Sequence, residues 1–240
     1  MPDHEKIYAE RAQGYDYLIS REDVDGAIPR TIGEIVDHAG MDVVDLGAGT
    51  GRFASLLAPA ARSVVIVDGS RHMLDLAAMK MHRAGHSNWT VRVSDLCRLP
   101  LPDGSADLIV SGWSICYVAS TNREDHREAL RSVVREMDRI LRPGGRAIIF
   151  ETLGTGNTEP RPPEALVPYY DALESEHGFD HRWIRTDYRF ASREEARDLS
   201  AFFFGGEMPS RLAGPEGVDL PECTGVWWRT FTDEPQEATG

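Results

Sequence analysis

The chain has 240 residues, of which 41% are hydrophobic and 27% charged, and these ordinary globular values exclude wholesale disorder. Asp and Glu outnumber Lys and Arg by 39 to 26, and the formal net charge of −13 argues against nucleic acid as a partner. The first twenty residues show no apolar signal-peptide core and no later apolar run reaches membrane-spanning length, so we expect a cytoplasmic protein without a membrane partner.

The chain opens with helical patterns and then alternates strands with helices. Mixed apolar and charged residues predict a leading helix at residues 4–20, broken at Gly14, and a second helix that Gly40 ends. The predicted helices after the first are residues 29–39, 51–58, 70–83 and 123–141. Short apolar runs, typical of strands buried on both faces, fall at residues 41–46, 63–68, 90–93, 106–111 and 146–151. This alternation predicts a parallel sheet with right-handed crossovers.

After Glu151 the composition changes to glycine, proline and polar residues. We expect a small inserted substrate cap at residues 155–190, with an aromatic-rich helix followed by a strand-like piece. The predicted elements beyond it are a helix at residues 192–204, a final edge strand at 222–231 and a frayed tail from 232. A single domain is therefore expected over residues 1–240, its core being residues 29–151 and 191–231 beside a leading lid helix at 4–20.

A glycine-rich segment, VVDLGAGTG at residues 43–51, stands where the first predicted strand turns into a helix. Its glycines let backbone amides approach a ligand at a helix N-terminus. Asp68 closes the next strand, where an acid holds ribose hydroxyls in both dinucleotide and S-adenosylmethionine (SAM) enzymes. Asp45 favours SAM, because a carboxylate beside the turn suits an ammonium group and would repel a pyrophosphate.

Residues 43–151 resemble the core of the class I SAM-dependent methyltransferases, of the quinone-biosynthesis-like kind. The segments that carry the resemblance are VVDLGAGTGRF from Val43, DGS from Asp68 with Met73, SDL from Ser94, LPLPD from Leu99 and LRPGG from Leu141. The resemblance implies a doubly wound α/β fold, in which a mostly parallel, seven-stranded Rossmann-like sheet has an antiparallel edge strand and the small inserted cap.

The resemblance also implies SAM as cofactor, S-adenosylhomocysteine as product, and a set of cofactor-binding residues. That set is Tyr15, Asp45, Gly47, Ala48, Gly49, Gly51, Asp68, Gly69, Met73, Asp95, Leu96 and Ser111. The loop glycines would line the methionine part, Asp68 would hold the ribose and Asp95 the adenine amine. Asp45 would order the loop or bind the amino group. Tyr8, Arg11 and Tyr15 of the leading helix would fold over the cofactor as a lid.

The predicted function is transfer of the SAM methyl group to an oxygen, nitrogen or carbon nucleophile of a small-molecule acceptor by in-line displacement. Much of such catalysis is positioning, although a hydroxyl acceptor would benefit from a general base. The candidate bases are His181, Glu151 and Tyr117, whose sequence positions do not establish that they reach the methyl group. Aromatic residues that could wall the acceptor site, or equally belong to the core, are Trp113, Tyr117, Tyr169 and Tyr170.

Two other functions remain alternatives, an NAD-dependent oxidoreductase and a non-catalytic SAM-binding protein. The GxGxG spacing, Asp45 and Asp95 argue against the first, and methyl transfer to any acceptor would exclude the second. We predict no metal, because the histidine pairs at i, i+4 spacing lack a convincing third ligand. The three cysteines show no CxxC spacing and indicate reduced thiols. A homodimer is left open.

Overall fold

A seven-stranded sheet forms the centre of the protein, in a computed structural model that describes residues 4–214 and 216–232. The strands are β1 (Asp42–Leu46), β2 (Ser63–Asp68), β3 (Trp89–Val93), β4 (Ala106–Gly112), β5 (Leu141–Thr155), β6 (Asp180–Arg185), β7 (Tyr188–Arg189), β8 (Asp219–Leu220) and β9 (Glu222–Thr230). The α-helices are α1 (His4–Glu10), α2 (Ala12–Ile19), α3 (Ala27–Ile35), α4 (Arg52–Leu57), α5 (Arg71–Arg83), α6 (Cys116–Ala119), α7 (His126–Ile140), α8 (Val167–Ser175) and α9 (Arg193–Phe204).

The strand order is β3-β2-β1-β4-β5-β9-β6, and β7 pairs with β8 in a separate small sheet. Strands β1 to β5 run parallel, whereas β9 is antiparallel to both β5 and β6. The predicted α/β fold class is confirmed. The antiparallel strand lies second from the edge, however, because β6 pairs along its outer side.

Apolar residues cover both faces of the sheet, as the continuous valine-rich runs of β1 and β2 predict. Helix α7 buries a stripe that includes Leu130, Val133 and Met137 against one face, beside α8. Helices α3, α4 and α5 pack on the other face. The parallel strands are thereby enclosed, and the loops at their carboxyl ends gather on one edge of the sheet.

The leading segment differs from its predicted form, because the break falls at Arg11 and not at Gly14. Arg11 leaves the helical region with φ −134° and ψ 31°, and its guanidinium lies 4.2 Å from the Phe202 ring centroid. Gly14 continues α2, where an added Cβ would meet that ring at 3.5 Å. The second helix also ends earlier than predicted, at Ile35.

The predicted cap at residues 155–190 is wrong in its C-terminal part. Residues 180–185 are β6, the edge strand of the main sheet, and the aromatic helix α8 packs into the core. Tyr170 stacks on Trp227 of β9 with ring centroids 4.6 Å apart. Aromatic residues on α8 therefore serve packing, because β9 and β6 extend the sheet beneath them. The tail predicted to fray lies, from residue 233 onward, outside the described residues.

Candidate functional site

The glycine-rich loop after β1 forms one wall of a cavity at the carboxyl ends of the parallel strands. Gly47 has φ +70°, and a Cβ at this position would lie 2.3 Å from Ser114 Oγ. Gly51, the N-cap of α4, has φ +77°, and its Cβ would approach that of Ala77 to 2.9 Å. Both positions thus require glycine, Gly47 at the cavity and Gly51 where α4 packs on α5.

Two carboxylates fix this loop. Asp68, at the end of β2, accepts from the Gly49 N–H at 2.8 Å through Oδ2 and from the Ser70 N–H at 2.7 Å through Oδ1. Asp45 is fully buried in β1 and accepts from the Ala54 N–H at 2.8 Å. Burial raises the pKa of Asp68, and burial together with the nearby Asp68 raises the pKa of Asp45 to about 7.

The structure separates the two roles that Asp45 could have had. Its side chain holds the first turn of α4 and does not line the cavity. Asp45 is therefore placed to order the loop, and the expectation that its charge faces a ligand is wrong. Asp68 does line the cavity and keeps lone pairs available after accepting its two backbone hydrogen bonds.

The cavity has a volume of about 450 Å³, within the range of small-molecule sites. It brings together nine of the twelve predicted cofactor residues: Tyr15, Gly47, Ala48, Gly49, Asp68, Gly69, Met73, Asp95 and Leu96. The other three predicted residues do not line the cavity: Asp45, Gly51 and Ser111. The Ser111 hydroxyl is 2.8 Å from Ser114 Oγ, which in turn bonds to the Leu46 carbonyl at 3.2 Å. These three residues support the site from outside the cavity.

The predicted acceptor residues divide into two pairs. Trp113 and Tyr117 line the cavity. Trp113 has φ +50°, a left-handed conformation that is unusual for a bulky residue, and the Arg52 guanidinium lies 5.2 Å from its ring. Tyr169 and Tyr170 are buried in the core away from the cavity, and the Tyr170 hydroxyl donates to the Thr152 carbonyl at 2.7 Å. Their assignment to the acceptor site is wrong, because α8 faces the core.

Two of the three candidate bases lie outside the cavity. His181 stacks on Trp227 at 4.4 Å, and burial lowers its pKa. Glu151 is fully buried, accepts from the Cys116 N–H at 2.9 Å, and has a pKa raised by burial to about 7. Tyr117 does line the cavity, and although the residue is 43% exposed, desolvation at its hydroxyl end raises the pKa far above its ordinary value. A phenol with such a pKa is a poor base near neutral pH.

The leading helices contribute an aromatic group at the cavity mouth. The Tyr8 and Tyr117 hydroxyls are 2.7 Å apart, and His4 Nδ1 lies 3.3 Å from the Tyr117 hydroxyl. Tyr8 also meets Tyr15 edge to face at 5.1 Å, and Phe203 of α9 stacks on His4 at 4.5 Å. Tyr8 and Tyr15 thus line the cavity, whereas Arg11 packs on Phe202, and the lid role of this segment stays a prediction.

Sequence reasoning missed a second group of cavity residues. They come from α2 and its following turn, α4, the end of β5, α9 and the start of β9: Ile19, Glu22, Arg52, Thr152, Thr155, Phe203, Phe204 and Glu222. They share no motif, because strand pairing and helix packing bring them together. One signal was available, an acidic residue opening the otherwise apolar strand ECTGVWW from Glu222.

Within residues 4–214 and 216–232, no group of three His, Cys, Asp or Glu side chains could hold a metal ion. Cys97, Cys116 and Cys223 are free thiols. A search of the same residues finds no helix with the length and apolarity needed to cross a membrane.

Residues 44–149 match the family model of a methyltransferase domain. The ubiquinone/menaquinone biosynthesis C-methyltransferase UbiE of Rubrivivax gelatinosus is 36% identical over 116 residues, 48% of this chain and 40% of that protein. A malonyl-(acyl-carrier protein) O-methyltransferase of Methylococcus capsulatus is 34% identical over 152 residues, 60% of this chain and 48% of that protein. This chain therefore spans about half the length of the curated relatives it matches.

Among solved structures, phosphoethanolamine N-methyltransferase 2 of Haemonchus contortus, in complex with phosphomonomethylethanolamine and S-adenosylhomocysteine, gives a TM-score of 0.63 at 16% identity. The match covers 96% of this chain and 59% of that one, and at this identity it shows a shared fold. The strand order, the glycine loop and the family match over residues 44–149 together support a class I SAM-dependent methyltransferase. The resemblance seen in the sequence motifs is thereby confirmed.

Proposed function

We propose that this protein transfers the methyl group of SAM to a small-molecule acceptor bound in the same cavity. The observation that carries the proposal is the placement of Asp68, which lines the cavity at the end of β2 while both its oxygens accept loop N–H groups. A carboxylate fixed in this way has a defined direction toward the hydroxyls of a bound ribose.

The residues around Asp68 fit the other parts of SAM. Gly47 and Gly49 present backbone beside Tyr15 and Met73, where a side chain on Gly47 would be excluded sterically. Asp95 and Leu96 follow β3 and offer an acceptor and a backbone donor to an adenine ring. This arrangement supports SAM as cofactor on the geometry of the cavity as well as on the family match.

SAM supplies an electrophilic methyl group on a sulfonium when it is bound. The contribution of the protein is to hold this group and the acceptor in a common geometry, which accounts for a large share of catalysis in intramolecular analogues, roughly 7 to 11 kcal/mol. Trp113 and Tyr117 line the cavity, and we assign to the Tyr8 ring, whose hydroxyl lies 2.7 Å from that of Tyr117, a role in excluding water from a bound acceptor. Positioning and desolvation are therefore the main functions we assign to these side chains.

Calorimetric titration with SAM, S-adenosylhomocysteine and NADH tests the proposal. We expect binding of the first two and a raised melting temperature, because a ligand of the folded state stabilises it by mass action. Binding of NADH without SAM would overturn the proposal in favour of an oxidoreductase. A screen of small acceptors for release of S-adenosylhomocysteine then separates an enzyme from a non-catalytic SAM-binding protein, which would bind SAM and turn over none of them.

A further inference from the structure

The cavity continues beyond the cofactor residues into a second half with a different surface, here called the far half. Its wall combines aromatic rings with polar side chains, namely Phe53, Trp113, Tyr188 and Phe204 with Glu22, Arg52, Thr152 and Glu222. Phe53 and Trp113 lie nearly parallel with centroids 6.4 Å apart, and Tyr188 meets Phe204 edge to face at 5.7 Å. Such a surface suits an apolar, ring-containing body.

One carboxyl group in the far half is incompletely satisfied. Glu222 is 2% exposed, and its Oε1 accepts from the Thr152 hydroxyl at 2.7 Å. Its Oε2 is buried and has no hydrogen-bond partner among the described residues, and the Thr155 side chain, which pairs with Glu222 across β5 and β9, is the other hydroxyl close enough to lower the pKa of this carboxyl. The salt bridges within residues 4–214 and 216–232 do not include Glu222, and the charged side chains that shift its pKa, Glu22 and Asp187, are both acidic. A buried polar atom without a partner is costly, and Glu222, unlike the similarly unpartnered Glu151, lines the cavity, where a ligand group can reach it.

In the neighbouring carboxylate of Glu22, by contrast, each oxygen has a hydrogen-bond partner. Its Oε2 accepts from Arg52 at 2.5 Å and its Oε1 from the Thr186 hydroxyl at 3.1 Å. Thr186 is in turn 2.6 Å from the Thr224 hydroxyl. Glu22 therefore has both oxygens occupied, and its negative charge lies close enough to raise the pKa of Glu222, with burial as the larger cause, to about 8.

Resting on the proposed function, we infer that the far half binds the methyl acceptor and that Glu222 Oε2 recognises a hydroxyl group on an otherwise apolar acceptor. A hydroxyl fits either protonation state of Glu222, because it donates to a carboxylate and accepts from a carboxylic acid. An ammonium group would pair only with the ionised form. A carboxylate or phosphate on the acceptor would be repelled by Glu22 and by any ionised Glu222.

The test uses matched pairs of probes that differ by a hydroxyl in place of a methyl group: phenol and toluene, 1-naphthol and 1-methylnaphthalene, cyclohexanol and methylcyclohexane. Their dissociation constants are measured by NMR titration of the full chain in saturating S-adenosylhomocysteine. We expect the wild-type protein to bind the hydroxyl member of at least one pair about tenfold more tightly, since a hydrogen bond to a charged or polar buried group has this magnitude. In Glu222→Met the preference should fall to within about twofold.

Glu151→Met is the matched control. Glu151 is also a fully buried glutamate with Oε2 unpartnered among the described residues, but it does not line the cavity. This variant should keep the hydroxyl preference. A wild-type protein without preference in any pair, or an unchanged preference in Glu222→Met, would overturn the inference. Affinity for S-adenosylhomocysteine, measured in the same proteins, tests the proposed function separately. The probe titrations can also be repeated in the absence of S-adenosylhomocysteine.

Discussion

The two halves of the cavity are built in different ways. The cofactor half takes most of its lining from residues 47–96, a continuous stretch in which each contribution follows a parallel strand. The far half combines Glu22, Arg52, Thr152, Tyr188 and Glu222, which are separated by up to 200 residues along the chain (222 − 22). The first half is thus encoded locally, whereas the second exists only after β5, β9 and the leading helices have assembled.

The carboxylates of the two halves show the same contrast. Asp68 has both oxygens held by backbone N–H groups, and its position follows from the loop itself. Glu222 depends on the side chain of Thr152 in the paired strand β5 and leaves one oxygen unpartnered among the described residues. The position of Asp68 can therefore be predicted from the sequence motif, because neighbouring backbone N–H groups hold it. The position of Glu222 cannot, because a side chain distant in the sequence holds it.

The largest effect is expected from Asp68→Ala, which should weaken binding of S-adenosylhomocysteine about 100-fold or more. A carboxylate that accepts from two ribose hydroxyls makes charge-assisted hydrogen bonds, each contributing roughly 1.5 to 3 kcal/mol. Removal of the side chain also releases the Gly49 and Ser70 N–H groups. Isothermal titration calorimetry measures the change.

Asp95→Ala provides the comparison within the same half. Asp95 is exposed and accepts from the Cys97 N–H at 2.7 Å, so a smaller loss of affinity is expected. Equal losses for the two variants, or wild-type affinity in Asp68→Ala, would show that the ribose position has been misassigned. Circular dichroism confirms that both variants fold.

A smaller effect is expected from the pH dependence of stability. The pKa of Glu222 is raised from 4.5 to about 8, first by burial and then by Glu22, so the folded protein binds the proton more tightly than the unfolded chain. The stabilisation is complete below about pH 4.5 and is lost as the pH rises through 8. Replacement by glutamine, which does not titrate, should therefore flatten the fall in unfolding free energy between pH 6 and 7.5 by up to about 1.4 kcal/mol per pH unit.

Glu128→Gln serves as the control for this measurement, because the Glu128 side chain is 66% exposed. Its slope of stability against pH should match that of the wild type. His177 and His181 have lowered pKa values and act in the opposite direction, losing their contribution as the pH falls. Urea unfolding at several pH values measures the slopes, and parallel curves for Glu222→Gln and wild type would contradict the assigned protonation of Glu222.

The smallest effect concerns the aromatic group at the mouth. Tyr117→Phe removes the hydroxyl that bonds to Tyr8 at 2.7 Å and should speed hydrogen exchange of the α1 amides about fivefold, corresponding to roughly 1 kcal/mol. Tyr170→Phe is the matched control, since its hydroxyl bonds to the Thr152 carbonyl in the core. The hydrogen bond would not be what stabilises α1 if exchange of the α1 amides became faster in Tyr170→Phe or stayed at the wild-type rate in Tyr117→Phe.

Four of the five strands predicted in the first 151 residues agree with the structure to within one residue, because strands buried on both faces carry a continuous apolar signal. The fifth, predicted at residues 146–151, is the middle of the longer strand β5 (Leu141–Thr155). Ser63–Asp68 even coincides with β2. The cap prediction was wrong over residues 180–185 for an equally physical reason. A half-exposed strand such as β6, with charges at Asp180, Arg182 and Arg185, has no sequence pattern that separates a sheet edge from an insertion.

By itself the sequence determined the cofactor half, because a glycine that must adopt positive φ and an acid at a strand end leave local marks at fixed spacing. Tertiary structure alone decided which aromatic residues reach the cavity. Trp113 and Tyr117 follow β4 and face it, whereas Tyr169 and Tyr170 are drawn into the core by Trp227. It also decided that Glu222 meets the far half, because only the pairing of β9 with β5 sets its carboxyl against Thr152.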